Sequence, residues 1–197
     1  MLKKLGLITI CAGSVFAMNN AELNLNDKDL EVGVKFDMGQ YNENVEPESV
    51  FFGGKIIKGS NDNSDYSSGS DIEEFLEANL LVQTKVEETD STFGMGIKFN
   101  YTKNYASIPL GLELKYRIDA VEEYPVYVKG SLYYAPTVLS FRDSENFFEY
   151  RIQAELEVMK NAIVSLGYRS IDTNYDSKSG GDVNYNKSLY LGVNFSF

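Results

Sequence analysis

Apolar and polar residues alternate along almost the whole chain. The pattern is sharpest at the C-terminus, where "SLYLGVNFSF" puts Leu189, Leu191, Val193, Phe195 and Phe197 on one parity and Ser188, Tyr190, Gly192, Asn194 and Ser196 on the other. A period of two marks β-strands with one apolar face. The same rhythm runs from Ala21 to Leu25, Leu30 to Met38, Val50 to Ile56, Leu76 to Val82 and Phe93 to Tyr101, the third being weakened by Gly53 and Gly54. It continues from Ile108 to Ile118, Val126 to Tyr134, Phe148 to Val158 and Val164 to Tyr168, so that ten segments are expected and helical periodicity hardly appears. Most of them run to roughly nine to eleven residues, the length of a tilted strand crossing a bilayer and longer than the five or six usual in globular sheets.

The connections carry independent information. Membrane barrels join their strands by short turns on the side that holds both chain ends and by longer loops on the other. Working back from Phe197, a long polar loop from Asp172, a tight turn at Met159, a longer loop from Ala135, a shorter one from Asp119, a modest one from Thr102, a turn from Lys85 and a long loop from Gly59 alternate in that sense. The loop at Thr102 is short for its side. The fold class expected is all-β: a small antiparallel transmembrane up-and-down β-barrel of ten strands. Eight would remain if the first two segments formed a plug, edge or linker, an even number being the constraint.

The opposite parity carries Glu31, Lys35, Asp37, Glu77, Lys98, Glu113, Lys115, Arg117, Lys129, Glu149, Arg151, Glu155, Glu157 and Arg169, seven basic and seven acidic residues. Pointed into a narrow lumen, such charges must pair and hydrogen-bond or meet a large desolvation penalty. Their balance suits an interlocked, closed interior, whereas an ion-selective pore would show an excess of one sign. Alternation by itself is shared by a soluble lipocalin-like barrel with the apolar face inward. Strand length, loop asymmetry and the terminal phenylalanine favour the membrane.

The opening "MLKKLGLITICAGSVFA" has a basic start at Lys3 and Lys4, an apolar stretch and small residues at Val15 and Ala17, as a secretory signal does. Residues 1–17 are expected to be removed, leaving a barrel domain over 18–197. The apolar run is too short for a transmembrane helix. Cys11, the one cysteine, goes with the signal, and stability without disulfides must come from core, oligomer or membrane. A net charge of −11 without a basic face excludes nucleic acid as a partner. Histidine and tryptophan are absent, which removes the commonest general base and metal ligand. The acidic loops from Asp62 and Asp176 do not have the spacing of a twelve-residue calcium loop. Glu155 and Glu157 share a face, but structural pairing with lumen cations is the simpler reading. No catalytic, cofactor or metal residue is assigned.

One stretch is more specific: "PVYVKGSLYYAPTVLSFRDSENFFEYRIQAELEVMKNAIVSLGYRSID", Pro125 to Asp172, with "SIPLGLELKYRI" before it and "LYLGVNFSF" at the end. It resembles the YfaZ family of bacterial outer-membrane proteins, most strongly at "YYAPTVLSF" and "EYR". The resemblance implies a small outer-membrane β-barrel and brings no catalytic residue with it. Pro136 cannot donate to a central ladder, so "APTVLSF" is expected to leave the sheet and cap the barrel mouth or lie on the lipid rim, with Arg142, Glu149 and Arg151 tying it to the lumen. The terminal aromatic Phe197 suits recognition by the barrel-insertion machinery. The functional expectation is a non-enzymatic, monomeric Gram-negative outer-membrane protein of structural or surface role, in contact with lipid and closed in its lumen. The alternatives are a narrow porin-like passive channel for small solutes or ions, a soluble exported binding barrel and, last, an enzyme working without histidine.

Overall fold

The computed structural model describes residues 19–27, 29–59, 74–86, 89, 91–103, 105–118, 124–142, 144–175 and 183–197. The expected signal peptide lies outside them, as do both acidic loop stretches considered for calcium.

Ten strands form the wall: β1 (Asn20–Leu25), β2 (Asp29–Asp37), β3 (Val50–Gly59), β4 (Phe75–Val86), β5 (Ser91–Tyr101), β7 (Leu110–Ile118), β8 (Val126–Ala135), β10 (Ser144–Met159), β11 (Ala162–Tyr175) and β12 (Val183–Ser196). Two three-residue strands, β6 (Tyr105–Ser107) and β9 (Ser140–Arg142), stand apart from it. Each wall strand pairs antiparallel with its neighbours in chain order. The ring closes where β1 meets β12, from Asn20 opposite Ser196 to Leu25 opposite Leu191. Because β1 also pairs with β2, the first segment is a true stave and the count is ten rather than eight.

The two parities face opposite ways. Leu191 is 64% exposed on the outside while its neighbour Tyr190 is buried, and the same alternation holds along β2, where Leu30, Val32, Val34 and Phe36 point out and Asp29, Glu31 and Asp37 are buried. Outward-facing leucine, valine and phenylalanine of this density form a continuous apolar surface far larger than a soluble monomer carries. Phe148, Tyr150 and Tyr168 add an outward row of rings with centroids 5.9 Å apart, the kind of amphipathic girdle found where hydrocarbon meets water.

Asn19, the first described residue, and Phe197 lie at one mouth, the terminal end. The turns there are mostly short, as at Met159 to Ala162. The twelve-residue connection 38–49 between β2 and β3 is the exception to the rule of short turns on this side. Asp37 explains it. Its carboxylate accepts from the backbone N–H of Gly39 at 3.0 Å and of Glu48 at 2.8 Å, Glu48 itself adopting φ 63°, while Gln83 N–H donates to Ser49 O at 2.7 Å. Asp37, expected among the lumen ion pairs, instead uses its buried carboxylate to hold this connection against the wall.

Candidate functional site: a layered lumen

Beyond the far mouth the chain folds back over the opening. Pro136 starts a short 3-10 turn (Thr137–Leu139), and β9 then pairs with β6. Arg142, at φ 66°, donates to Thr102 O at 3.3 Å, Lys103 O at 2.5 Å and Tyr101 Oη at 3.2 Å. It therefore ties the cap to the end of β5, not to the lumen, which corrects the role expected for it. Val138 is 82% exposed at the crest, and Leu139 packs downward on a cluster of Ile57, Phe75, Tyr105, Ala135, Phe147 and Ile171. Tyr105 is fully buried between Phe75 and Phe147, with ring centroids at 6.4 and 6.0 Å. An apolar plug thus fills the far end of the described lumen.

Under the plug lies an ionic layer centred on Glu31, which is 0% exposed. Its Oε1 accepts from Arg151 at 2.6 Å and Asn24 at 2.8 Å and lies 3.4 Å from Lys55 Nζ, and its Oε2 accepts from Arg169. Arg169 reaches Asp29 at 2.5 Å. Arg151 also holds Glu149 at 2.6 Å, and Glu149 binds Lys98 at 2.7 Å, which pairs in turn with Glu77 at 3.0 Å. A charge taken from water is tolerated only with such compensation. Every carboxylate in this layer has a cation, and the layer spans the ring from β2 through β10 and β11 to β4 and β5.

Two tyrosines connect this layer to the charges below. Tyr133 lies under Lys98, 3.9 Å from Nζ to the ring centroid, and donates to Glu113 at 2.8 Å. Tyr190 lies 5.6 Å from the Arg169 guanidinium and donates to Gln153 at 2.7 Å, which donates on to Glu155. Each ring lies flat on glycine backbone. At Gly111 and at Gly167 a Cβ would collide with Tyr133 and Tyr190 respectively, so these glycines serve close approach.

Further toward the terminal end, Lys129 lies 3.2 Å and Lys35 3.8 Å from the same oxygen of Glu113, and Lys115 pairs with Glu155 at 2.6 Å. A cavity of about 20 Å³ remains beside Lys55, Lys98 and Arg151, room for roughly one water. Below it the lumen widens to about 630 Å³, in a vestibule lined by residues of the terminal end, among them Asn20, Arg117, Glu157 and Ser196. Of the fourteen charges expected to face the lumen, eleven enter ion pairs there, Asp37 serves the turn, and Arg117 and Glu157 line the vestibule. Three partners were missed: Glu22 and Lys55, which pair with each other, and Asp29. Among the described residues no cluster of acidic or cysteine side chains could hold a metal ion.

An apolar exterior around a ring of ten paired strands, with a polar interior filled by its own side chains, defines a small transmembrane β-barrel of the inside-out kind. The chain belongs to the YfaZ family, whose model, described as YfaZ precursor, matches residues 2–197. Among solved structures it is similar to a KdgM porin at 8% identity, with 91% of this chain and 98% of that one covered and a TM-score of 0.47. No curated protein matches the sequence.

Proposed function

We propose that this protein is an outer-membrane barrel of structural or surface role whose lumen is shut, rather than a conduit or an enzyme. The observation that carries the reading is the stacking of two seals in one lumen, the apolar plug around Tyr105 and the ionic layer around Glu31, both with central side chains at 0% exposure. The apolar belt supports lipid as the surrounding phase, and the position of Asn19 beside Phe197 at one mouth supports a periplasmic terminal mouth. The carboxylates and lysines of the ionic layer, which a histidine-free enzyme would need, are engaged with one another.

Purified barrel reconstituted in a planar bilayer is expected to leave the baseline current unchanged across a wide voltage range. Reproducible unitary steps, lost on removing the protein, would favour the narrow-channel alternative. A second prediction concerns Phe197, whose N–H donates to Asn19 O at 2.9 Å while its side chain stays partly exposed on the terminal rim. Deleting it should slow insertion by the assembly machinery and leave unchanged the temperature at which assembled barrel loses its fast gel migration. An equal fall in both would make Phe197 an ordinary structural residue.

A further inference from the structure

The vestibule is the larger of the two spaces described above, and neither the seals nor the family accounts for its lining. Its volume of about 630 Å³ falls among those of small-molecule sites. Five basic and five acidic residues line it, so it has no net sign with which to select an ion. The signs are nonetheless separated. Lys35 and Lys129 share one oxygen of Glu113, whose other oxygen is taken by Tyr133, leaving two ammonium groups with one carboxylate. On β10, Glu157 faces the same space, and among the described residues its carboxylate has no ion pair or hydrogen bond. A third element is apolar: Phe51 and Leu81 sit opposite each other in the register of β3 and β4 and turn their side chains inward. They lie across the ten-strand ring from β10.

We propose that the vestibule binds a small zwitterion bearing an apolar side chain, of the size of an amino acid or dipeptide, from the side of the chain termini. The ammonium of the ligand pairs with Glu157, its carboxylate with Lys35 and Lys129, and its side chain rests on Phe51 and Leu81. Each contact answers a feature of the lining: a carboxylate without a cation, a cation pair with half its countercharge, and inward apolar side chains in a wall rich in charge. A free anion satisfies only the second, and a hydrocarbon only the third.

The chain contains no tryptophan, so a tryptophan-bearing ligand reports its own binding by energy transfer from the protein's tyrosines. The experiment titrates the dipeptide Leu-Trp, and in parallel its doubly blocked N-acetyl amide, into full-length barrel purified from membranes and held in lipid nanodiscs, with empty nanodiscs as control. Saturable transfer is expected for Leu-Trp, with affinity at least about tenfold above that of the blocked form, as two lost charge-assisted contacts imply. Glu157→Gln should weaken Leu-Trp about tenfold and leave N-acetyl-Leu-Trp unaffected. Lys35→Met should do the reverse, penalising the free carboxylate and sparing Leu-Trp amide. Unchanged heat-modifiable migration certifies that the variants are folded. Equal affinity for free and blocked forms, insensitivity to both substitutions, or no saturation at millimolar dipeptide overturns the proposal. These outcomes are independent of the conductance measurement, so the site can fail while the closed-barrel reading stands.

Discussion

Replacing Glu31 by alanine is expected to remove about 3–5 kcal/mol from the stability of the barrel, the cost of breaking a buried ion pair from one side. Glu31 is buried completely and is shared by Arg151, Arg169 and Lys55. Each cation retains one other carboxylate after the change, Glu149, Asp29 and Glu22 respectively, yet all three lose the shared acceptor at the centre of the layer, and their buried N–H groups there have no bulk water to turn to. Glu157→Ala, on the same parity but at the open vestibule, should change stability by less than about 0.5 kcal/mol. Urea titration of detergent-solubilised barrel, read by gel migration, compares the two. A loss for Glu31→Ala below about 1 kcal/mol would place the layer among ordinary solvated charge networks.

The second large effect belongs to the plug. Tyr105→Ala removes a fully buried ring packed between Phe75 and Phe147 and should cost about 3–5 kcal/mol, as aromatic-to-alanine truncations in cores do. It should not open a pore, because the ionic layer lies directly beneath. The same variant in a planar bilayer is therefore expected to be destabilised and electrically silent. Current through Tyr105→Ala would show that the plug alone holds the lumen shut, and the two-seal account would fail.

Much of this arrangement was readable from alternation. Parity alone separated lipid-facing from lumen-facing residues, and eleven of the fourteen charges it selected enter ion pairs, because a charge held in a narrow interior needs a partner there. The plug was not readable in the same way, for a physical reason. Ile57, Phe75 and Phe147 lie on the polar parity beside outward-facing or polar neighbours, as Ile56-Ile57, Phe75-Leu76 and Phe147-Phe148. Such apolar doublets break the period of two where the inner face is apolar as well as the outer, and at the far end of these strands that signal marks the plug. Phe51-Phe52 and Leu80-Leu81 do the same at the vestibule. Lys55 escaped notice because glycines blurred the pattern of β3, and Asp29 and Glu22 because they sit where short or starting strands give too few repeats to fix a parity. The pairing of β6 with β9 joins segments more than thirty residues apart, which no local rhythm records. Asp37 shows the opposite limit: its parity was right, but its partner is backbone, and only the turn geometry shows that.

The unequal ends of the lumen have a thermodynamic consequence. A passage open at both ends lets a solute run down its gradient, so its occupancy depends on two concentrations and on flux. On the closed-barrel reading proposed above, a cup shut at Tyr105 and Glu31 and open beside Asn20 and Ser196 exchanges with a single compartment. Whatever enters must leave by the way it came, no work is dissipated, and at rest the fraction of cups filled is an equilibrium reading of concentration on that one side of the membrane.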